Sequence, residues 1–545
     1  FKTNLSYENY LFDSFSFDDD LFGFASYGLD GTGVGGRVSQ DRDITTTLNA
    51  IQSLNYVKNF GNHNISLDLI TEAYTFELDE LHADGTGFLP NVEVLDGSTV
   101  PETVAGNVTM ERLNSYLARL AYNYNEKYYI EGSFRRDGSS RFSEDTRWGN
   151  FFSVGGSWIV SNEGFLADSN TFNYLKFRGS YGELGNNRGI GYFPYQSIFE
   201  LGWNNETNTG VLLEGIADPF ISWEKTASAN VGVDFELFNG ILAGTVDYYS
   251  KESVDLIYDK PLPPSTGVND IRTNIGSVRN FGWEASLRST IISTDDFTWT
   301  AGINFSLDKN EITELTQEEF INGSKLWKVG NSLYDFYINE WAGVDPADGY
   351  GMWYVDVEDA NGNVTGRTTT KNYDEASEYE LGSALPDVLG GFTTFLRYKN
   401  FDLNILTNFS FGGKLLDTDY SGLTSQFANA GSAVHPDVVN RWQKPGDITD
   451  HPLLLASNNS FNNRSSKFLY DNDYVRLKSL TLGYNLPESV LEKIGFSQVR
   501  VFLQADNMFT WQSHEGIEPE QAFNGLTNNR SPLSKTITTG AILQF

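Results

Sequence analysis

Residues 116–134 read YLARLAYNYNEKYYIEGSF, and their alternation decides the fold. Tyr116, Ala118, Leu120, Tyr122 and Tyr124 fall on one face of an extended chain, with Arg119 and Asn123 on the other. Asn125-Glu126-Lys127 interrupts the pattern. It then resumes with Tyr128, Ile130, Gly132 and Phe134 opposing Tyr129, Glu131, Ser133 and Arg135. A period of two with apolar side chains on one side is the mark of a strand with one greasy face. The charged stretch 135–142 (RRDGSSRF) reads as a flexible loop, and 151–160 returns as a strand. A tight turn at one end and a long loop at the other is the layout of a transmembrane β-barrel.

The same alternation recurs along the chain. Its cleanest example sets Phe297, Trp299, Ala301, Ile303, Phe305 and Leu307 against Thr298, Thr300, Asn304, Ser306 and Asp308. Further strands are expected near 1–9, 44–60, 64–74, 175–181, 231–237, 242–248, 277–290, 333–344, 350–356, 388–398, 401–411, 474–485, 499–510 and 535–545. The total is about eighteen strands. Short turns sit at Gly61-Asn62-His63, at Phe238-Asn239-Gly240 with its Asn-Gly hairpin signal, at 293–296 and at Lys399-Asn400. Long loops are expected at 75–114, 183–222, 357–384 and 415–470, and a helical turn within 487–496. Turns alternate long and short from Phe1 onward, so the first strand runs outward and the last inward, an even-numbered arrangement.

Composition agrees with one barrel domain over 1–545. The length exceeds one ordinary soluble core, yet no linker divides the chain. Hydrophobic residues make up 39% and aromatics 14%, as expected where only one strand face meets lipid and aromatic girdles mark both interfaces. No apolar run approaches the ~18 residues of a membrane-spanning helix. The net charge of −34 argues against nucleic acid as a partner. The absence of cysteine excludes disulfides and thiolate metal sites. Phe1 is not a start methionine and no signal segment follows it, so a natural N-terminus upstream is expected.

Catalytic patterns are weak. His63, His82, His435, His451 and His514 lie in turns or loops without an H-E-x-x-H spacing. Ser157 in GGSWI lacks the second glycine of a nucleophile elbow. Gly31–Gly36 matches G-x-G-x-x-G by letter, but no buried strand precedes it and no helix follows. No enzyme activity, catalytic residue, metal ligand or cofactor is expected. A structural Ca²⁺ in an acidic loop is the sharper reading of 359–363 (DANGN), against a plain Asn-Gly turn. Arg119, Glu131, Arg178, Asp234, Asp308 and Arg500 are expected to line the lumen, where they need water, a plug or each other. Trp203, Trp223, Trp327 and Trp353 are the substrate-stacking candidates, since sugar C–H groups pack on aromatic faces. Girdle or loop-packing roles compete for each of them.

Several segments resemble the SusC/RagA group of TonB-dependent outer-membrane transporters of Bacteroidota. They include 128–142 (YYIEGSFRRDGSSRF), 148–158 (WGNFFSVGGSW), 175–186 (LKFRGSYGELGN) and 223–226 (WEKT) with 230–235 (NVGVDF). Asp247-Tyr248-Tyr249, 261–263 (PLP), 274–276 (NIG), 474–484 (YVRLKSLTLGY) and 506–510 (DNMFT) continue the match in order. The resemblance implies an outer-membrane barrel of about 22 strands around a plug. The plug and the remaining strands would lie upstream or in a separate chain. It also implies import of oligosaccharides or peptides with a SusD/RagB-like lipoprotein lid and energy from the TonB complex. A lidless siderophore or vitamin receptor is the alternative, and a barrel acting as a scaffold for surface proteins is a third.

Overall fold

The alternation becomes sheet in the computed structural model, which describes residues 1–18, 36–88, 92–205, 208–213, 215–425, 433–455, 460–520, 523–527 and 530–545. One 16-stranded sheet runs, in order, through Lys2–Asp18, Arg37–Phe60, His63–Phe88, Ser98–Tyr124, Tyr128–Ser139, Trp148–Ile159, Phe172–Asn186, Glu224–Leu237, Leu242–Val254, Gly276–Ser293, Phe297–Leu315, Val388–Tyr398, Phe401–Phe411, Tyr474–Asn485, Gln498–Gln512 and Thr536–Gln544. No helix is long and apolar enough to cross a membrane. The glycine-rich run 31–36 falls almost entirely outside the described residues.

The chain divides into two compact units. In the first, Tyr124 pairs with Tyr128, Tyr122 with Ile130, Leu120 with Gly132 and Ala118 with Phe134, so both apolar faces coincide. Asn125 and Glu126 make the turn with positive φ of 54° and 55°. Residues 75–114, expected as a loop, are instead mostly strand. His63–Phe88 and Ser98–Tyr124 stay paired almost to their ends. About 10 residues cross a bilayer, so these strands continue well beyond it. Past the lipid the ladder no longer needs an apolar face, and acidic residues such as Glu77, Asp79 and Glu80 do not end it.

In the second unit the registers align whole rows of side chains. Phe297 pairs with Tyr398, Tyr398 with Phe401 and Phe401 with Tyr484. The next row on that face is Trp299, Leu396, Leu403, Leu482 and Leu503. Farther up, Phe305, Gly390, Phe409, Val475 and Trp511 share a row. The aromatic rows are about eight residues apart, roughly 27 Å along a strand. At a 35–45° tilt that is ~20 Å of depth, an apolar band between two girdles.

The wall has 16 strands rather than about eighteen. The segments expected at 333–344 and 350–356 belong to separate small sheets between wall strands. Asp335–Asn339 pairs with Glu378–Ser383, and Trp341–Val344 with Gly351–Glu358. Their apolar faces meet protein, with Phe336, Ile338 and Trp353 buried. Alternation is the same whether the greasy face meets lipid or a core, so sequence periodicity alone does not separate the two.

Candidate functional site: the polar wall and the outer loops

The face opposite the apolar rows carries charges that neutralise one another across neighbouring strands. Arg119 makes a two-pronged pair with Glu131, Nε to Oε1 at 2.7 Å and Nη2 to Oε2 at 2.8 Å, with Asp68 3.7 Å away. Arg178 donates to Asp234 at 3.0 Å, Asp247 at 2.6 Å and Asn230 at 3.1 Å. Asp308 accepts from the Tyr249 hydroxyl at 2.5 Å and from Ser306 at 2.7 Å. Arg500 grips both oxygens of Asp402, at 3.1 and 2.5 Å. All six polar residues singled out in the sequence thus have partners within the sheet. Asp247, Tyr249 and Asp402 complete these groups and were not singled out, because cross-strand partners lie tens of residues away in sequence. Glycine makes the room. A Cβ on Gly232 would collide with Asp247 and Arg178, and one on Gly483 with Arg500 and Asp402. In the second unit a recess of about 950 Å³ lies against this wall, lined by Asp247, Glu284, Arg288, Asn304, Asn404 and Asn408 among others.

The loop 135–142, expected to be flexible, is a fastened knot. Arg135 holds Asp137 at 2.8 Å and the Ser115 hydroxyl at 3.0 Å. Arg141 makes a two-pronged pair with Glu111 at 2.8 Å and donates to the Gly191 carbonyl at 2.6 Å. Phe142 is fully buried with Phe151, Ile190, Ile221 and Trp223.

The four tryptophans separate by surroundings. Trp223 packs in that core, 5.2 Å from Phe142 and 5.6 Å from Phe151, and donates to the Arg147 carbonyl at 2.9 Å. Trp353 is fully buried among Trp341, Tyr373 and Phe461. Trp327 stands edge-on to Phe320 at 5.1 Å. Trp203 is 57% exposed beside the small hairpin of Phe199–Leu201 with Val211–Leu213, its indole N–H on Glu200 at 3.0 Å. Asp359 accepts from the Asn361 and Asn363 backbone and from the Asn363 side chain. Its oxygens thus serve a turn, and these bonds hold the carboxyl below its usual pKa. Among the described residues no cluster of three or more His, Cys, Asp or Glu has metal-holding geometry.

Lys325 is buried in the outer loop 315–388. Its ammonium donates to the Tyr334 carbonyl at 2.8 Å and stands 3.0 Å over the Phe336 ring. Burial lowers its pKa to about 7, with Asp335 opposing. An unfolded lysine titrates near ~10.4, so between ~7 and ~10 the unfolded state binds more protons and stability rises with pH. Protease resistance of this loop is therefore expected to increase from pH ~7 to ~9 in the native protein and to stay level in Lys325→Met. An unchanged slope in the variant would contradict the assignment.

No protein-family model matches the chain. Curated relatives do. TonB-dependent receptor P3 of Formosa agariphila is 32% identical over 563 residues, covering 95% of this chain and 54% of that protein. TonB-dependent receptor SusC of Bacteroides thetaiotaomicron is 28% identical, covering 90% and 49%. The RagAB peptide transporter structure superposes on the whole chain and 60% of its own with a TM-score of 0.83 at 26% identity. The closed-closed state of the RagAB peptide importer gives 0.85. The chain spans about half the length of the curated relatives it matches. In order, spacing and strand register, the chain belongs to the SusC/RagA-like TonB-dependent receptors, and its sheet is an outer-membrane β-barrel wall.

Proposed function

We propose that this chain forms the greater part of the barrel of a TonB-dependent importer of oligosaccharides or peptides. In this reading a SusD/RagB-like lipoprotein covers the outer loops, and the TonB complex drives displacement of a plug carried upstream or on a separate chain. The observation that carries the reading is the match to the RagAB peptide transporter along the full length of the chain. The chemistry is consistent with it. A wall whose ion pairs are already satisfied laterally presents a polar surface without fixed unpaired charge, over which a neutral or zwitterionic solute can pass without a deep electrostatic trap. The barrel does no covalent work.

Deleting the gene should abolish growth on one class of glycan or peptide, and affinity capture of the native protein should bring down a lipoprotein in equal amount. Unchanged growth on every candidate, with no companion protein, would overturn the proposal. Trp203 is the stacking surface this reading favours, being the exposed one of the four. Trp203→Ala is expected to weaken solute binding by about 1 kcal/mol, roughly fivefold, with no change in melting temperature. Titration calorimetry on the purified complex measures it.

A further inference from the structure

The turn between the wall strands Tyr474–Asn485 and Gln498–Gln512 is longer than the other connections on its side that close in two to four residues, and it holds a helix, Glu488–Ile494. It lies at the tight-turn end, which in a bacterial barrel is periplasmic. At about 100° per residue, Val490, Ile494 and Leu491 occupy one arc of roughly 100°, and Glu488, Glu492, Ser489 and Lys493 occupy the rest. Leu491 is buried, whereas Val490 and Ile494 are 39% and 46% exposed.

Two observations place this segment on the lipid-facing side of the wall. Phe496, just past the helix, stacks at 4.8 Å on Phe545, which shares the face of Ala541 and Leu543. Those two pair with Val501 and Val499, on the face of the apolar rows. Val499 is nearly fully buried, while Val501 and Leu503 on the same face are 41% and 48% exposed. The backbone of Leu486 bonds to the Val499 carbonyl at 2.9 Å, so the turn folds back over that position. The exposed arc of the helix is thus continuous with the girdle row of Phe297, Tyr398, Phe401 and Tyr484.

We infer that the helix Glu488–Ile494 is an interfacial anchor, with Val490 and Ile494 sunk into the headgroup–acyl boundary of the inner leaflet and the Glu488, Glu492 and Lys493 side in periplasmic water. Its occupant is phospholipid. An amphipathic helix with a strongly polar face and a narrow apolar one lies in the plane of such an interface. Anchoring here fixes how deep the wall sits at this turn.

The chain has no cysteine, so Val490→Cys, Ile494→Cys and Lys493→Cys can each carry a single NBD label on the full polypeptide in phosphatidylethanolamine/phosphatidylglycerol vesicles. At 490 and 494, lipids with a shallow nitroxide should quench the label several-fold more than at 493. Iodide in the water should quench 493 several-fold more than the other two. Equal iodide quenching at all three positions would overturn the proposal. So would shielding of 490 and 494 from both quenchers, the signature of a periplasmic protein covering the helix. A variant that fails to fold is recognised by loss of the heat-dependent gel shift, and the remaining apolar position then decides.

Discussion

Arg476→Met is expected to release the loop 512–536 and to cost about 3–5 kcal/mol, the penalty for breaking a buried ion pair from one side. Arg476 and Glu518 are 3% and 6% exposed and 2.5 Å apart. The guanidinium also donates to Thr510 at 3.0 Å and lies 3.3 Å from Glu520. Glu518 in turn accepts the backbone N–H of Glu520 and of Leu533, which ties both ends of the loop to one carboxylate. Without Arg476 that carboxylate stays buried and charged, whereas Glu520 keeps Lys478 at 2.7 Å. Limited proteolysis should cut the variant within 512–536 under conditions that spare the native protein. Adding Glu518→Gln, which keeps an acceptor and removes the charge, should restore more than half of the loss. A single variant as resistant as the native protein would show that this pair does not hold the loop.

Trp353→Ala is expected to cost a similar ~3–5 kcal/mol through the cavity it leaves. The ring is fully buried between Trp341 at 5.3 Å, Tyr373 at 5.4 Å and Phe461 at 6.2 Å. Its indole N–H has no hydrogen-bond partner among the described residues. Trp353→Phe, which removes that buried donor and keeps an aromatic ring, should therefore recover most of the loss. Thermal melting of the two variants tests this. A drop in solute affinity with no change in melting would instead make Trp353 a binding residue. Trp203→Ala is expected to behave in the opposite way, changing affinity and not melting.

The contrast between those two tryptophans shows where reading the sequence stopped. Strand faces were legible wherever a strand meets lipid. The alternation of 297–308 and of 116–134 predicts the very rows that the registers produce. The small sheets around Phe336 and Trp353 alternate in the same way, and nothing local separates a face against bilayer from a face against Trp341 and Phe461. The 75–114 region failed for the converse reason, since a paired strand beyond the bilayer needs no apolar face. The wall charges were legible as types, because Arg119, Arg178 and Arg500 sit opposite apolar neighbours in period two. Their partners were not, because Asp247 and Asp402 are 69 and 98 residues away along the chain. The knot at 135–142 reads as charged and mobile until the distant Glu111, Ser115 and Gly191 are brought beside it.

The central claim is that one side of each wall strand touches bilayer and the other a polar interior. Single-cysteine spin labels at successive positions from 298 to 306 of the strand Phe297–Leu315, in the reconstituted protein, test it most directly. The account predicts that collision with dissolved oxygen peaks at 299, 301, 303 and 305 and falls at 298, 300, 302, 304 and 306. A flat profile, or maxima every third or fourth residue, would contradict it.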